Sequence, residues 1–147
     1  MVALLLAGWS SRGADTIVTP AMIGHWEGDA KIIVSWCHQT NLHVALDIQT
    51  DGSVTGKVGD AMVLKGRFER NRGWLGRKLN LATDYIIKGE LNGPIVAVEG
   101  ITRKSVSIPL NFSGGVFVGG VHTSGSKFGG KDKMILSAMS LTLGHSK

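Results

Sequence analysis

The chain has 147 residues, with 16 basic and 11 acidic side chains that give a formal net charge of +5. Its length fits one domain, and 43% hydrophobic residues are enough to build a core, so wholesale disorder is excluded. The single Cys37 excludes a disulfide framework and any zinc or iron–sulfur site that needs several cysteines.

The chain begins with a short apolar run, residues 1–8, which is far below the roughly 18–20 residues that span a bilayer as a helix. An extended strand is one interpretation. We favour the remnant of an export signal over residues 1–14, followed by one domain over residues 15–147. Leu6-Ala7-Gly8 resembles the end of a bacterial lipoprotein signal, with Trp9 where the lipidated cysteine would stand. This resemblance implies a bacterial periplasmic, envelope or secreted protein.

From Met22 onward the apolar residues recur with a period of two, which predicts strands and not helices. The clearest case is residues 42–48, where apolar and polar side chains alternate. Asp51-Gly52 and Asn92-Gly93 are typical of tight β-hairpin turns, because these residue types accept a positive φ. Similar alternation continues to Leu143, so the sequence predicts an all-β fold.

Consecutive hairpins predict a single up-and-down antiparallel barrel of about eight to ten strands, since closing a sheet removes its exposed edges. A β-sandwich is the alternative architecture. Gly56, Gly66 and Gly89 fall in phase with the apolar faces of their strands. We expect them to permit the sharp bends of a small barrel and to leave room inside it.

Gly24-His25-Trp26 opens the first predicted strand and resembles the Gly-x-Trp motif of the calycin superfamily, which includes lipocalins, fatty-acid-binding proteins and avidins. The resemblance implies a barrel in which Trp26 plugs one end and Gly24 lets the chain turn into the strand. Lipocalins also place an arginine after the last strand, stacked on this tryptophan. Here residues 144–147 read Gly-His-Ser-Lys. The resemblance identifies no ligand.

A barrel of about eight strands is either just wide enough for one small ligand or filled by its own side chains. The leading interpretation is a non-catalytic protein that binds a small, mostly apolar molecule in the barrel mouth. The residues expected to line that site lie on the predicted apolar faces: Trp36, Leu46, Met62, Leu64, Phe68 and Tyr85.

Basic side chains concentrate between residues 57 and 78, where seven of them stand against two acidic residues. This cluster supports a second interpretation, a filled barrel that contacts an anionic lipid or polysaccharide surface through a loop over residues 65–78. The expected contact residues are Lys65, Arg67, Arg70, Arg72, Arg77 and Lys78. Nucleic acid is disfavoured, because only Trp74 could stack on bases within this segment.

A hydrolase is the third interpretation, and it depends on Glu27 and Asp29, which are two residues apart and could share one strand face. Nothing in the pattern places a substrate between them. An enzyme is therefore not favoured, and no residue is predicted to be catalytic.

Neither a metal nor a cofactor is predicted. Cys37, His38 and His43 lack the spacing of a zinc site, and neighbouring strand residues such as Cys37 and His38 point to opposite faces. Residues 125–132 approach the P-loop pattern but end with Asp132 where a serine or threonine would hold magnesium. The sequence leaves the oligomeric state open.

Overall fold

The computed structural model describes residues 18–32, 37–71, 83–124, 135–136 and 141–145. Within these ranges the chain is almost wholly β-structure, with one 3₁₀ turn at Pro20–Met22. The strands are β1 (Gly24–Lys31), β2 (Asn41–Ile48), β3 (Ser53–Val58), β4 (Ala61–Arg70), β5 (Tyr85–Asn92), β6 (Pro94–Val96), β7 (Ile101–Thr102), β8 (Ser105–Ser113), β9 (Val116–Gly119), β10 (His122–Ser124), β11 (Ile135–Leu136) and β12 (Leu141–His145). The signal-like segment of residues 1–14 lies outside the described residues.

Eight of these strands close into one barrel in the order β1-β2-β3-β4-β5-β8-β9-β12, and β12 returns to β1. Every neighbouring pair is antiparallel. The closing seam places Trp26 opposite His145 and Glu27 opposite Gly144. The prediction of a single up-and-down antiparallel barrel is confirmed, and the alternative of a β-sandwich is wrong.

Two short pairs of strands add to the barrel. The second half of β8 pairs with β9, and its first half pairs with β10 in the same register. β11 pairs with β10. β6 and β7 form a separate two-stranded sheet between β5 and β8.

The turn at Asn92-Gly93 does not join two neighbouring barrel strands. Gly93 has a φ of 99°, as a turn residue would, but the chain then enters β6, while β5 pairs with β8. The prediction of a simple barrel hairpin at this turn is therefore wrong. The Asp51-Gly52 turn does connect two paired barrel strands, β2 and β3.

The barrel interior is filled by the inward-facing side chains of the strands. Ten large ones are almost completely enclosed: Trp26, Leu42, Leu46, Ile48, Ile87, Ile95, Ile108, Leu110, Phe117 and Leu143. A space that admitted water would expose the side chains bordering it, so none of these ten borders such a space. Their close packing follows from the alternation of buried and exposed residues, which is clearest in β2.

A β-bulge in β4 changes which side chains face inward. Leu64 pairs with Glu90 and Arg67 with Lys88, so two residues, Lys65 and Gly66, oppose one residue of β5. Lys65 has a φ of 52°, in the left-handed region. The alternation therefore shifts by one residue between the two halves of the strand.

Glycines at the inner face do not leave empty space. A Cβ added to Gly66 would lie 2.2 Å from the backbone oxygen of Val54, and one added to Gly56 would lie 2.1 Å from that of Ala45. Gly28 and Gly119 are equally crowded by the neighbouring backbone. These glycines allow adjacent strands to approach closely, so the expectation that glycines provide room for a ligand is wrong.

We predict that Gly66→Ala lowers the free energy of unfolding by about 2 kcal/mol or more, because β3 and β4 must separate to admit the Cβ. Gly144→Ala is the matched control, since nothing lies within 4 Å of its added Cβ. It should leave stability unchanged or raise it by up to about 1 kcal/mol. Urea denaturation of both variants measures the difference, and equal stabilities would contradict the argument.

Candidate functional site

One end of the barrel, here called the tryptophan end, is closed by a layer of aromatic rings. Six strands contribute one ring each: Trp26, Phe68, Tyr85, Phe112, Phe117 and His145. The centroid of Phe117 lies 4.7 Å from that of Trp26 and 4.8 Å from that of Phe112. Edge-to-face contacts of this kind stabilise the layer beyond the burial of its area.

Sequence reasoning assigned no site role to Phe112 and Phe117, nor to His145. Its imidazole stacks on Trp26 with centroids 3.9 Å apart and planes 28° apart. The indole Nε1–H of Trp26 donates to the carbonyl of Met22 at 2.9 Å, which ties the segment before β1 to the ring layer. The only signal in the sequence was the position of His145 near the end of the last strand, where lipocalins carry an arginine.

The opposite end, here called the hairpin end, is covered by β6 and β7. Ile95 and Val96 are 1% and 0% exposed, so this small sheet places two aliphatic side chains into the barrel core. Gly59, in the turn between β3 and β4, lies directly beneath it, because an added Cβ would lie 2.1 Å from the oxygen of Ile95.

Two carboxylates connect the hairpin to its surroundings. Asp60 accepts the N–H of Ala97 at 3.0 Å, and its own N–H donates to the carbonyl of Ile95 at 3.2 Å. Glu99 accepts the backbone N–H groups of His38 and Gln39 at 2.8 and 3.1 Å. Glu99 thereby connects the hairpin to the loop between β1 and β2.

A buried hydroxyl lies near the hairpin end. Thr123 is 1% exposed, and its Oγ1 has no hydrogen-bond partner among the described residues. It faces the same side of the sheet as Val106, its buried cross-strand partner. Arg103 is 9% exposed just before β8 and donates through Nη1 to the carbonyl of Thr102, so a positive charge also lies at this end.

The residues predicted to line a ligand site divide between the core and the outer surface. Leu46 and Phe68 are buried in the core, and Tyr85 stacks on Phe68 in the ring layer. Met62 and Leu64 lie on the outer surface, 51% and 41% exposed, because they precede the bulge in β4. Their predicted place on the inner face is wrong. Trp36 lies outside the described residues.

The residues predicted to contact an anionic surface are described only in part. Lys65, Arg67 and Arg70 are exposed on β4. Lys65 lies 3.6 Å from Glu90, and Arg67 lies opposite Lys88. Arg72, Arg77 and Lys78, together with Trp74, fall outside the part of the chain that the structure describes.

The outer face of β1 and β2 carries two histidine–carboxylate contacts. His25 bridges two carboxylates, with Nδ1 2.7 Å from Asp47 and Nε2 2.7 Å from Glu27. Both contacts are hydrogen bonds at once only when both ring nitrogens carry protons, and the hydrogen bonds to Glu27 and then to Asp47 raise the pKa of His25 above its usual value of 6.5. His43 contacts Asp29 at 2.9 Å.

Glu27 and Asp29 share the outer face of β1, as the two-residue spacing predicts. Their side chains are 44% and 66% exposed and contact His25 and His43, respectively. Both carboxylates are open to solvent, and no enclosed space for a substrate lies between these two side chains.

Cys37 lies beside the hairpin, packed against the core. Burial raises the pKa of its thiol above 9.0, and the charge of Glu99 acts in the same direction, so the thiol stays protonated at neutral pH.

Among the described residues, no three histidine, cysteine, aspartate or glutamate side chains converge as metal ligands. No helix in the described ranges is long and apolar enough to cross a membrane.

Comparison of the chain with protein-family models, with curated proteins and with solved structures found no significant match in any of the three. The architecture is compatible with a calycin-like barrel, and this likeness rests on the closed barrel alone.

We predict that His25 contributes stability that depends on pH. Its pKa in the folded protein is raised above 6.5, so the contribution is complete below that value and is lost as the pH rises through the folded pKa. The stability difference between wild type and His25→Gln should therefore shrink as the solution becomes alkaline.

Urea denaturation across this pH range measures the difference, and NMR titration of the imidazole measures the pKa itself. Asp47→Asn removes one of the two carboxylates and should lower the measured value. A pKa of His25 at or below 6.5 in the wild type would contradict the prediction.

Proposed function

We propose that the protein is a non-catalytic binding barrel that takes up a small, mostly apolar molecule at the hairpin end. One observation carries this proposal. The apolar space at this end is filled by Ile95 and Val96, which belong to a separate two-stranded sheet and not to the barrel wall. A short element can move away from a barrel without breaking the pairing of the barrel strands.

The contrast between the two ends supports the choice of site. At the tryptophan end the rings come from the barrel strands themselves, so opening that end would break the wall. At the hairpin end the described connections include the hydrogen bonds of Asp60 and Glu99 with backbone groups. Each such bond contributes about 1–3 kcal/mol, and an alkyl chain that replaces Ile95 and Val96 restores the apolar contacts they lose, so displacing the hairpin is the cheaper motion.

The side chains at this end also favour a class of ligand. The volume held by Ile95 and Val96 is aliphatic, which suits an alkyl chain better than a flat aromatic ring. Thr123 offers a buried hydroxyl that lacks a partner among the described residues, and Arg103 adds a positive charge. An alkyl chain with one oxygen-bearing, anionic head group matches this set.

Decanoate is the probe we would use, because it combines an alkyl chain with a carboxylate. We expect saturable binding to the full chain in isothermal titration calorimetry. Backbone chemical-shift changes in NMR spectra should concentrate around residues 93–104 and 121–123. Absence of binding, or shift changes confined to the tryptophan end, would overturn the proposal.

Thr123→Val is the informative variant, because it removes the hydroxyl while keeping the shape of the side chain. Loss of an unsatisfied buried hydroxyl should raise the free energy of unfolding by about 1 kcal/mol. Loss of a hydrogen bond to the head group should weaken decanoate binding by about fivefold.

Thr142→Val is the matched control, since Thr142 is exposed on β12. It should change neither stability nor affinity by a comparable amount. If Thr123→Val raised stability but bound decanoate as tightly as wild type, Thr123 would take no part in ligand binding.

A further inference from the structure

The outer surface of β3, β4 and β5 combines exposed aliphatic and basic side chains. The surface, here called the β4 face, consists of Lys57, Met62, Leu64, Lys65, Arg67 and Lys88. We propose that the β4 face docks the barrel onto an anionic lipid bilayer. This inference is independent of the ligand site at the hairpin end.

The register of the strands places these side chains next to one another. Lys57 lies opposite Met62, and Arg67 lies opposite Lys88. The bulge in β4 adds to the surface, because Leu64 and Lys65 are consecutive residues and both are exposed. A regular strand would have turned one of the two inward.

The charges of the β4 face fit a negatively charged partner. Arg67 and Lys88 are like charges directly across a strand pair, an arrangement that destabilises a sheet. Three acidic side chains lie nearby. Glu90 lies 3.6 Å from Lys65, and Glu69 lies 4.0 Å from Lys88. Asp51 is close enough to Arg67 for that charge to add to the hydrogen bonds that lower the pKa of Asp51. The four basic residues of the face still outnumber these three acids, so lipid phosphates would reduce the repulsion between Arg67 and Lys88.

The apolar members of the face favour a bilayer over a nucleic acid. Met62 and Leu64 are 51% and 41% exposed, although both are large hydrophobic residues. Aliphatic side chains flanked by basic ones insert at the boundary of head groups and acyl chains, with the charges left among the phosphates. Single-stranded nucleic acid is bound instead by aromatic side chains that stack on bases, and the β4 face has none.

The test is sedimentation of the full chain with vesicles of equimolar phosphatidylglycerol and phosphatidylcholine. We expect binding to these vesicles, weaker binding as salt is added, and little binding to phosphatidylcholine alone. Failure to bind the anionic vesicles at low salt would overturn the proposal.

A charge substitution locates the contact. Lys88→Glu places a carboxylate opposite Arg67 but also near Glu69, so attraction to the first offsets repulsion from the second, and it should weaken vesicle binding by about fivefold or more. Lys31→Glu is the matched control, because Lys31 is exposed on β1 and the substitution changes net charge equally. Equal losses in both variants would mean that only the net charge matters, and this outcome would overturn the proposal.

An apolar substitution separates a bilayer from other polyanions. Leu64→Thr keeps a residue that suits a strand and should weaken vesicle binding by about fourfold for each methylene that no longer inserts. Val118→Thr is the control, since Val118 is 42% exposed on β9 and outside the β4 face. If Leu64→Thr bound vesicles like wild type and both proteins bound a DNA duplex, the partner would be a nucleic acid and not a bilayer.

Discussion

The close approach of neighbouring strands is the constraint on which the rest of this structure depends. At Gly28, Gly56, Gly66 and Gly119 the backbone of the next strand occupies the place of a Cβ. Contacts this tight are sterically open only to glycine, and they let the eight strands bend into a closed barrel. The interior of this barrel is filled by its own leucine, isoleucine and aromatic side chains. Binding must then occur at an end of the barrel or on its surface.

Sequence periodicity predicted the architecture because the physical cause of the period is simple. One face of each strand is buried, so apolar residues recur at every second position, as in β2. The bulge at Lys65 was not predicted, because the period of two alone does not mark an extra residue. One extra residue shifts the alternation without leaving a turn residue or a break in the pattern, so Met62 and Leu64 were assigned to the face of Phe68. Their exposure became visible only once β4 was paired with β5.

The other structural features that the sequence did not predict depend on contacts between residues far apart in the chain. His145 reaches Trp26 only because β12 closes on β1, and the sequence gives no register for that seam. The β6–β7 hairpin was not predicted, because Asn92-Gly93 indicates a turn but does not indicate which strand pairs after it. The tryptophan motif indicated where Trp26 packs, since Gly24 and Trp26 sit at the start of the first strand. The candidate ligand site at the other end depends on Thr123 and Ile95, which no local pattern connects.

The β4 face and the hairpin end lie side by side, so the two proposals, which rest on separate observations, are compatible with each other. Met62 lies opposite Lys57 on one side and Asn92 on the other, and Asn92 immediately precedes the turn into β6. A barrel docked on lipid through Met62 would therefore hold the β5–β6 turn at the same boundary. An alkyl chain dissolved in the bilayer could then reach the space held by Ile95 and Val96 with little exposure to water. Leaving the bilayer through water would cost about 0.8 kcal/mol for each methylene exposed, so this path lowers the barrier to uptake from the membrane.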